Sequence, residues 1–516
     1  MERARNESGP GSSRELVKIA VPLILSSGSI SLMNVVDRMF LTWYSTEALA
    51  AVMPAGMLFF AAISLPLGIA TYVTTFVAQY DGAESRGNVS AVIWQGIYLS
   101  LGVGLLMLLV APLAGPVFVL ANHPESVRAF ERQYFQILCF GAAPLLIADV
   151  LSGFFNGRGR TLPVMKINFV GAALNGVLDY LLIFGAGPIP SLGIRGAAIA
   201  TVSSQAVMVL MYVLAIRTDS DSAVYALMKH ARFCRSLFAR LIRFGSANGL
   251  MYLTEISAFA VFTFMVGSLG TEQLAASNLT FNLNSFVFIP LMGWGTAVMT
   301  IVGRRVGEGR PELAVRSTWL AAGTAVSFTL CSGTVFVVFP ESILFPFEAF
   351  DTGGDVAAIR DLVIILLRFV AVFGVMDALA FVFGSALRGA GDVRFPVLFS
   401  LGSSWLLMVL PTFLACYWWQ GNIYHCWTAC MVHIMVMGGG FFWRFQAGHW
   451  KSMRVIEHDI VPQRAESLPA AEPVHLDSRS LGCNDVTGKS DDHLTAGPRT
   501  TDAADCRQSA SCQSFE

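Results

Sequence analysis

The sequence predicts an all-α polytopic membrane protein with twelve transmembrane helices in two six-helix lobes, which are related by a parallel internal repeat. Three observations support this fold class: a composition suited to lipid, apolar stretches of membrane-spanning length, and a similarity between the two halves. Hydrophobic residues make up 54% of the 516 residues and charged residues only 13%, whereas soluble globular proteins carry roughly 25% charged residues. Most of the chain must therefore lie in a lipid bilayer.

Charge balance and cysteine spacing exclude several other classes of protein. The formal net charge is −1, from 34 basic and 35 acidic residues, so no strongly basic character indicates a nucleic-acid partner. The nine cysteines contain no CxxC pair, which argues against a disulfide or zinc framework. No nucleophile–base pair and no complete HExxH or Walker motif stands out, so we expect neither an enzyme nor a metal centre.

Twelve spans follow from the apolar stretches, since a transmembrane helix needs about 20 predominantly apolar residues. Six stretches lack Asp, Glu, Lys and Arg altogether, and the last of these is long enough for two spans that separate near 420–422. Five further stretches are interrupted by single charges. In chain order the stretches are 16–44, 48–80, 87–124, 133–155, 162–184, 196–216, 237–267, 273–303, 317–340, 362–387 and 395–443.

The distribution of Lys and Arg predicts the orientation of the spans. If the N-terminus is cytoplasmic, the segments on that side hold 23 basic residues, and those on the opposite side hold four, namely Arg128, Arg132, Arg195 and Arg360. Cytoplasmic loops of membrane proteins carry such an excess of Lys and Arg. We therefore expect a multi-pass protein of the cytoplasmic (inner) membrane with both termini in the cytoplasm.

Five segments are predicted along the chain. A cytoplasmic N-terminus at 1–14 precedes an N-lobe at 15–217, a cytoplasmic strap at 218–236, a C-lobe at 237–445 and a tail at 446–516. From Lys451 onwards the chain has 7 basic and 11 acidic residues and no sustained apolar run. A segment of this kind cannot bury enough apolar surface to offset the entropy of ordering, so we expect a disordered cytoplasmic tail.

An internal repeat links the two halves. A shift of 225 residues aligns TEALAA at 46–51 with TEQLAA at 271–276 without a gap. Because six is an even number of spans, both halves insert with the same orientation and form a parallel repeat. Two such lobes fit transport by alternating access, although repeats also serve as scaffolds in channels and receptors. The same shift pairs Gly68 with Gly293, Thr71 with Thr296, Thr75 with Thr300 and Gly82 with Gly307.

Acidic residues inside the predicted spans are the candidate functional groups. Each costs about 2.5–3.5 kcal/mol at a helix centre on insertion scales, and such residues usually face a bundle interior or a wet cavity. A carboxylate can carry a proton, coordinate sodium or pair with a cationic drug. Pairing of Asp37 with Arg38, or hydrogen bonding for packing alone, is the structural alternative. The five acids are Asp37, Asp149, Asp179, Glu255 and Asp377.

Several motifs resemble the multidrug and toxin extrusion (MATE) family, in particular its NorM-like branch, over residues 15–445. This resemblance implies a secondary active multidrug efflux antiporter that exports cationic or amphipathic compounds in exchange for H⁺ or Na⁺ by alternating access. It implies no cofactor other than the coupling ion, small-molecule substrates and a monomer. The motifs are VDR at 36–38, TEALAA at 46–51, GRGRTLP at 157–163, Asn175 with DYLLIFG at 179–185, GIRGAAIAT at 193–201 and LRGAGD at 387–392.

The resemblance also implies roles for individual residues. Asp37, Asn175 and Asp179 match the cation site of the N-lobe, and Asn175 and Asp179 are four apart, on one face of a helix. Thr201 matches a supporting hydroxyl of some family members. Glu255 and Asp377 match C-lobe acids of the NorM-like branch, which are often linked to sodium. Asp149 has no matching role in the family, and we interpret it as structural.

Two alternatives remain open at this point. A lipid-linked saccharide flippase of the same superfamily has the same lobes and helix count, and an Arg-rich cleft would favour it because its substrates carry pyrophosphate. The charges within the spans are instead predominantly acidic, with Arg38 and Arg368 as exceptions. A polytopic membrane enzyme would need a catalytic loop, and the loop at 341–360 carries four acids without an obvious partner base.

Overall fold

The computed structural model describes residues 11–457, apart from 121–123, 186–189, 220–223, 226, 350–354 and 420. Residues 1–10 and 458–516, which include most of the predicted tail, lie outside the described residues. Within the described part, the chain forms twelve helices that are long and apolar enough to cross a membrane, which confirms the predicted number of spans. Because twelve is even, the first helix begins and the last helix ends on the same side, which we call the termini side; the opposite side is the far side.

We number the spans α1 to α12. Helix α3 continues through a 3₁₀ turn at Ala111–Leu113 to a short helical segment, Ala114–Leu120, and a short helix, Pro340–Ala349, follows α9 on the far side. The N-terminal six are α1 Ser13–Tyr44, α2 Thr46–Gly82, α3 Arg86–Val110, α4 Glu125–Gly157, α5 Thr161–Phe184 and α6 Ile194–Thr218. The C-terminal six are α7 Arg235–Gly267, α8 Thr271–Gly307, α9 Pro311–Val338, α10 Asp355–Ala390, α11 Arg394–Tyr417 and α12 Ile423–Gln446.

Helices α2 and α8, which correspond under the repeat, are the longest spans. Each has 37 residues and is therefore about 55 Å long at 1.5 Å per residue, whereas the hydrocarbon core of a bilayer is about 30 Å thick. Serine caps fix where the first two helices begin: the backbone N–H of Glu15 donates to the Ser12 hydroxyl, and that of Ala48 donates to the Ser45 hydroxyl. Helices α2 and α8 are therefore long enough to extend beyond the hydrocarbon core.

Glycines of α2 and α8 bring the lobes into backbone contact at positions that the repeat relates. A Cβ on Gly82 would lie 2.2 Å from the Arg304 carbonyl oxygen, and one on Gly307 would lie 2.1 Å from the Gln79 carbonyl oxygen. Under the 225-residue shift these two contacts exchange, since residue 79 maps to 304 and residue 82 to 307. The structure thus confirms the parallel repeat as a pseudo-two-fold relation between the lobes.

A second pair of contacts obeys the same relation nearer the bilayer centre. A Cβ on Gly68 of α2 would lie 2.1 Å from the Gly249 Cα of α7, and one on Gly293 of α8 would lie 2.8 Å from the Ile24 Cα of α1. Residue 24 maps to 249 and residue 68 to 293. The lobes therefore meet along α2–α7 and α1–α8, two crossings that are equivalent by the repeat.

The apolar core shows on which side the lobes are joined. On the termini side, Leu237 and Leu241 of α7 belong to the same buried cluster as N-lobe residues, and Leu16 and Ile19 of α1 belong to the C-lobe cluster. The cluster around Leu41 on the far side contains residues of the N-terminal six helices alone, within the described part of the chain. The lobes thus share their cores on the termini side.

The chain stays packed beyond the end of α12, so the predicted start of the tail at residue 446 is too early. Trp450 is fully buried and stacks on Phe445 at 4.9 Å, and Val455 and Ile456 lie in the N-lobe cluster. Glu457 accepts a hydrogen bond from the Tyr80 hydroxyl at 2.8 Å. The average polarity of the C-terminal segment did not reveal these apolar residues. Because they pack against the N-lobe, the described chain crosses the lobe junction after α12.

The described part of the strap packs against α3. The indole N–H of Trp94 donates to the Leu227 carbonyl at 2.8 Å, and the Gln95 side-chain amide donates to the Arg232 carbonyl at 3.0 Å. The Tyr225 hydroxyl donates to Asp81, and burial together with this bond raises the pKa of Tyr225 above its ordinary value. The connection between the lobes is therefore anchored to the N-lobe.

The glycine contact between α2 and α7 is expected to tolerate no side chain. We predict that Gly68→Ala lowers the stability by about 1–3 kcal/mol, as overpacking of a filled interior does, because its Cβ would meet main-chain atoms of Gly249. The thermal denaturation midpoint in detergent measures this.

Gly323→Ala is the matched control, since Gly323 lies inside α9 with open space around its Cα. Alanine is favoured over glycine in a helix interior by about 1 kcal/mol, so this variant should be at least as stable as the unmodified protein. Equal midpoints for the two variants would contradict the close approach of α2 and α7.

Candidate functional site

The three N-lobe candidates come together where α1 packs on α5. A Cβ on Gly176 of α5 would lie 3.6 Å from Val36 Cγ1 of α1, so the helices touch beside Asp37, which follows Val36. Asp37 and Asp179 are close enough to interact electrostatically. These acids lie seven and five residues from the far-side ends of their helices, about 8–11 Å at the helical rise. The group is therefore in the half of the N-lobe away from the lobe junction.

These side chains are buried, and their polar atoms have no hydrogen-bond partner among the described residues. Asn175 and Asp179 are fully buried and Asp37 is 9% exposed. Asp37 Oδ1, both polar side-chain atoms of Asn175 and both carboxylate oxygens of Asp179 are unpartnered. Buried polar groups in proteins are nearly always hydrogen-bonded, so such a concentration of unpartnered polar atoms is unusual for a protein interior.

Arg38 lies within electrostatic range of Asp37, but it does not form a close ion pair with this group. Within the part of the chain that the structure describes, no ion pair joins Arg38 to Asp37, although the two are sequence neighbours. Tyr134 of α4, which is 5% exposed, lies within electrostatic range of both Asp37 and Asp179. The structural alternative of a local Asp37–Arg38 pair is therefore not what the structure contains.

Thr201 is less closely tied to this group than the other three residues. Its hydroxyl donates to the Ala197 carbonyl of its own helix at 3.1 Å, and no hydrogen bond connects it to Asp37, Asn175 or Asp179 in the described residues. The hydroxyl oxygen keeps free lone pairs after that donation. Of the four predicted N-lobe residues, the structure thus places three close together and gives Thr201 no hydrogen bond to them.

In the C-lobe, Glu255 of α7 and Asp377 of α10 lie within electrostatic range of each other. Arg388, near the termini-side end of α10, is within range of Glu255, but these two residues form no ion pair in the described structure. The Arg388 guanidinium instead donates to Asn248 at 3.1 Å and to Ser385 at 2.9 Å. The two predicted C-lobe acids therefore form a second carboxylate group.

A small polar cavity beside Asp377 was not predicted from the sequence. Its volume is about 10 Å³, and Asn284 of α8 and Thr329 and Ser332 of α9 contribute to its wall. This is near the smallest volume that holds one water molecule. The two hydroxyls donate to carbonyls of their own helix, so their lone pairs are free, and hard cations prefer such oxygen ligands. The signal in the sequence was Thr329 and Ser332, three apart on one face of an apolar helix.

Asp149 has a local partner, in line with its structural interpretation. Its carboxylate lies 3.0 Å from the Thr71 hydroxyl of α2, so both residues of this contact belong to the N-lobe. An asparagine oxygen could accept the same hydrogen bond. Among the five acids in spans, Asp149 is thus the one whose bonding an amide could reproduce.

Side-chain hydrogen bonds connect the lobes near the termini side. The Tyr72 hydroxyl donates to the Arg388 carbonyl at 2.8 Å, and the Gln79 side-chain amide donates to the Gly389 carbonyl at 2.9 Å. From the other lobe, the Asn248 amide donates to the Gly68 carbonyl at 2.9 Å. These bonds join α2 to α7 and α10 on the side where the glycines meet.

Two six-helix lobes related by a pseudo-two-fold relation, with a pair of acidic side chains inside the spans of each, are typical of secondary membrane transporters. The sequence profile of the MatE family matches residues 22–181 and 248–414. The chain therefore belongs to the MATE family of transporters, as its motifs predicted, and it is not an enzyme.

Known relatives agree with this assignment. The chain is 27% identical over 393 residues to a probable multidrug resistance protein NorM of Agrobacterium fabrum. The aligned region covers 75% of this chain and 83% of the relative. It is 28% identical over 400 residues to the multidrug resistance protein NorM of Burkholderia vietnamiensis. Here the aligned region covers 77% of this chain and 86% of the relative.

Among solved structures, the chain is similar to a multidrug resistance MATE family transporter of the MOP superfamily in an outward-facing conformation. The TM-score is 0.78 at 21% sequence identity, over 87% of this chain and 98% of that chain. A likeness at this identity shows the fold alone, and it confirms the twelve-helix architecture.

The difference between unpaired and paired buried carboxylates leads to a stability prediction. We expect Asp179→Asn to leave the thermal denaturation midpoint unchanged or to raise it, because the variant removes a buried charge whose oxygens have no partner. Asp392→Asn should lower the stability by about 1.5–3 kcal/mol, the usual contribution of a hydrogen bond to a charged group. Asp392 is 3% exposed and accepts from Arg444 at 2.7 Å. Equal losses of stability in Asp179→Asn and Asp392→Asn would refute the distinction between unpaired and paired carboxylates.

Proposed function

We propose that the protein is a secondary active multidrug efflux antiporter that exports cationic or amphipathic compounds in exchange for H⁺ or Na⁺ by alternating access. The observation that carries this proposal is the buried N-lobe group of Asp37, Asn175 and Asp179 with its unpartnered oxygens. The names of the NorM relatives, multidrug resistance proteins, support the same function. The substrates are small molecules, no cofactor takes part, and the transporter acts as a monomer.

The chemistry of a carboxylate group suits coupled exchange. An ionised carboxylate attracts a cationic drug, and a protonated or sodium-bound one does not, so the ion and the drug compete for binding. Asn175 can donate to a carboxylate or supply an oxygen to a cation, and Thr201 contributes a further oxygen. In the C-lobe, Glu255 and Asp377 serve as a second coupling group, with the cavity beside Asp377 as the place for a bound ion.

The membrane potential is large enough to drive such an exchange. Each net elementary charge that the exchange carries inward contributes about 2.3 kcal/mol per 100 mV, which corresponds to roughly a 50-fold concentration ratio at 1.4 kcal/mol per factor of ten. To use it, a carboxylate that faces outward must take up the ion while it gives up the drug.

We further propose that the termini side is cytoplasmic and that the protein lies in the inner membrane. The 23 basic residues on that side against four on the other support this orientation. On this topology, lobes joined at the termini side correspond to an outward-facing arrangement. The N-lobe at 15–217 and the C-lobe at 237–445 would then be the units that rock against each other.

Cysteine labelling tests the orientation. In a variant that keeps Cys234 alone, a membrane-impermeant maleimide should react in inside-out vesicles and not in intact cells. Cys234 lies in the strap, and its hydrogen bond with Ser236 lowers the pKa of the thiol, which favours the reactive thiolate.

The matched variant carries Glu341→Cys as its single cysteine, in the short helix Pro340–Ala349 on the far side, where Glu341 is exposed. This cysteine should react in intact cells. Labelling of Cys234 from outside and of residue 341 only in inside-out vesicles would overturn the proposed orientation.

Export of a fluorescent cation under imposed Na⁺ and H⁺ gradients tests the function. We predict that Asp37→Asn or Asp179→Asn abolishes gradient-driven export, because an amide cannot change its charge. Glu255→Gln and Asp377→Asn should chiefly weaken the response to sodium. Asp149→Asn is the matched control and should export normally, since its hydrogen bond from Thr71 can be kept.

Membrane abundance is measured in parallel, so that loss of protein is not taken for loss of transport. Normal export by Asp37→Asn and Asp179→Asn at normal abundance would reject the N-lobe site. If the unmodified protein exported the cation under neither gradient, the antiporter would be refuted, and a lipid-linked saccharide flippase would become the better candidate.

A further inference from the structure

An apolar groove lies where α2, α7 and α11 meet on the lipid-facing surface. Its volume is about 380 Å³, and its wall includes Leu65 from α2, Ala247 from α7 and Val397 and Leu398 from α11. Volumes of 300 Å³ and more are typical of ligand pockets. Leu65 belongs to the N-lobe and the other three residues to the C-lobe, so the groove straddles the lobe junction.

One arginine contributes to the termini-side edge of this groove, and helix spacing places a second one turn before the groove wall on α7. Arg394 is the first residue of α11 and contributes to the groove wall, and Arg243 lies one turn before Ala247 on α7. Both side chains are exposed, and neither guanidinium has a hydrogen bond or ion pair among the described residues. A cation at the start of a helix opposes the helix dipole, so Arg394 does not serve the stability of α11.

Along the membrane normal, the basic side chains come first and the apolar groove wall follows them. Ala247 and Leu250, both in the groove wall, lie four and seven residues beyond Arg243 on α7, which is about 6–11 Å at the helical rise. The two cations thus stand at the level of lipid headgroups, and the groove extends from them towards the hydrocarbon. A phospholipid has the same succession of a charged head and an apolar chain.

We propose that this groove is a binding site for an anionic phospholipid, with the phosphate at Arg394 and Arg243 and an acyl chain in the groove. Basic sites between transmembrane helices are suited to anionic headgroups, and a neutral headgroup would leave the second guanidinium uncompensated. Because the walls come from both lobes, the lipid stabilises the state in which α2 and α7 are joined. This proposal is independent of the transported substrate and of the coupling ion.

Native mass spectrometry of the full-length, delipidated protein in detergent tests the site. Dioleoyl phosphatidylglycerol and dioleoyl phosphatidylcholine, which have the same acyl chains, are titrated separately. The protein should bind at least one phosphatidylglycerol more tightly than phosphatidylcholine. Arg394→Gln should weaken phosphatidylglycerol binding about five-fold, since one basic side chain near an anionic surface contributes about 1 kcal/mol.

Arg310→Gln is the matched control. Arg310 is exposed on the same side and directly precedes α9, as Arg394 opens α11, but it lies away from the groove. Its variant should bind phosphatidylglycerol as the unmodified protein does. Ala247→Phe should weaken the binding of both lipids, because the ring fills the groove and leaves the arginines in place.

Equal affinity of the unmodified protein for the two lipids would overturn the proposal, and so would equal losses in Arg394→Gln and Arg310→Gln. Unchanged binding by a folded Ala247→Phe would show that the acyl chain lies elsewhere. If that variant does not fold, the two arginine variants decide. Failure of the export assay leaves these results untouched, so the lipid site and the proposed function can be refuted separately.

Discussion

The lobes meet backbone against backbone, and the rest of the molecule is arranged around that contact. At Gly68 and Gly249 no side chain separates α2 from α7, and at Gly82 and Gly307 the ends of α2 and α8 approach each other's carbonyls. A contact between main chains has one close-packed geometry, because moving the atoms apart by less than 1 Å already forfeits much of the dispersion energy. The junction is therefore either made or broken, which is the property that a two-state transporter needs.

The repeat preserves this junction but not the charged groups. Under the 225-residue shift, Asp37 corresponds to Phe262 and Glu255 to Ile30, while Gly68 and Gly82 correspond to the glycines Gly293 and Gly307. Backbone contact on a pseudo-two-fold axis constrains both halves equally, so the glycines recur. A buried carboxylate is constrained only by its own lobe. Each lobe could therefore acquire its acids separately without disturbing the other.

The sequence could predict most of the fold, because its signals are local. Span length, the charge asymmetry of the loops and the 225-residue spacing need no knowledge of packing. The grouping of Asp37 with Asn175 and Asp179 followed from family motifs, and the structure shows that their helices touch. The role of Asn284 in a cavity wall depends on which face of α8 meets α9 and α10, and hydropathy does not contain that information.

The C-terminal segment shows a second reason why sequence reasoning fell short. Its overall polarity predicted a tail from residue 446, but Trp450, Val455 and Ile456 are buried. Three apolar residues are enough to hold a short segment when a surface already exists for them. A composition average over 71 residues conceals such a contact, since the surface is built by helices far away in the sequence.

That segment also adjoins the polar centre of the junction, Gln79, which is fully buried. Its amide donates to Gly389, and its oxygen accepts from the Val455 backbone at 2.9 Å, so both groups are satisfied only while the lobes and the segment are together. When the junction opens, water can take over these bonds, and each therefore contributes a net of about 0.5–1.5 kcal/mol. Two such bonds are comparable with the 2.3 kcal/mol that one charge gains from 100 mV. The two bonds of Gln79 are thus weak compared with the contacts of a filled interior, and the glycine contact, which has one geometry, sets the position at which the junction closes.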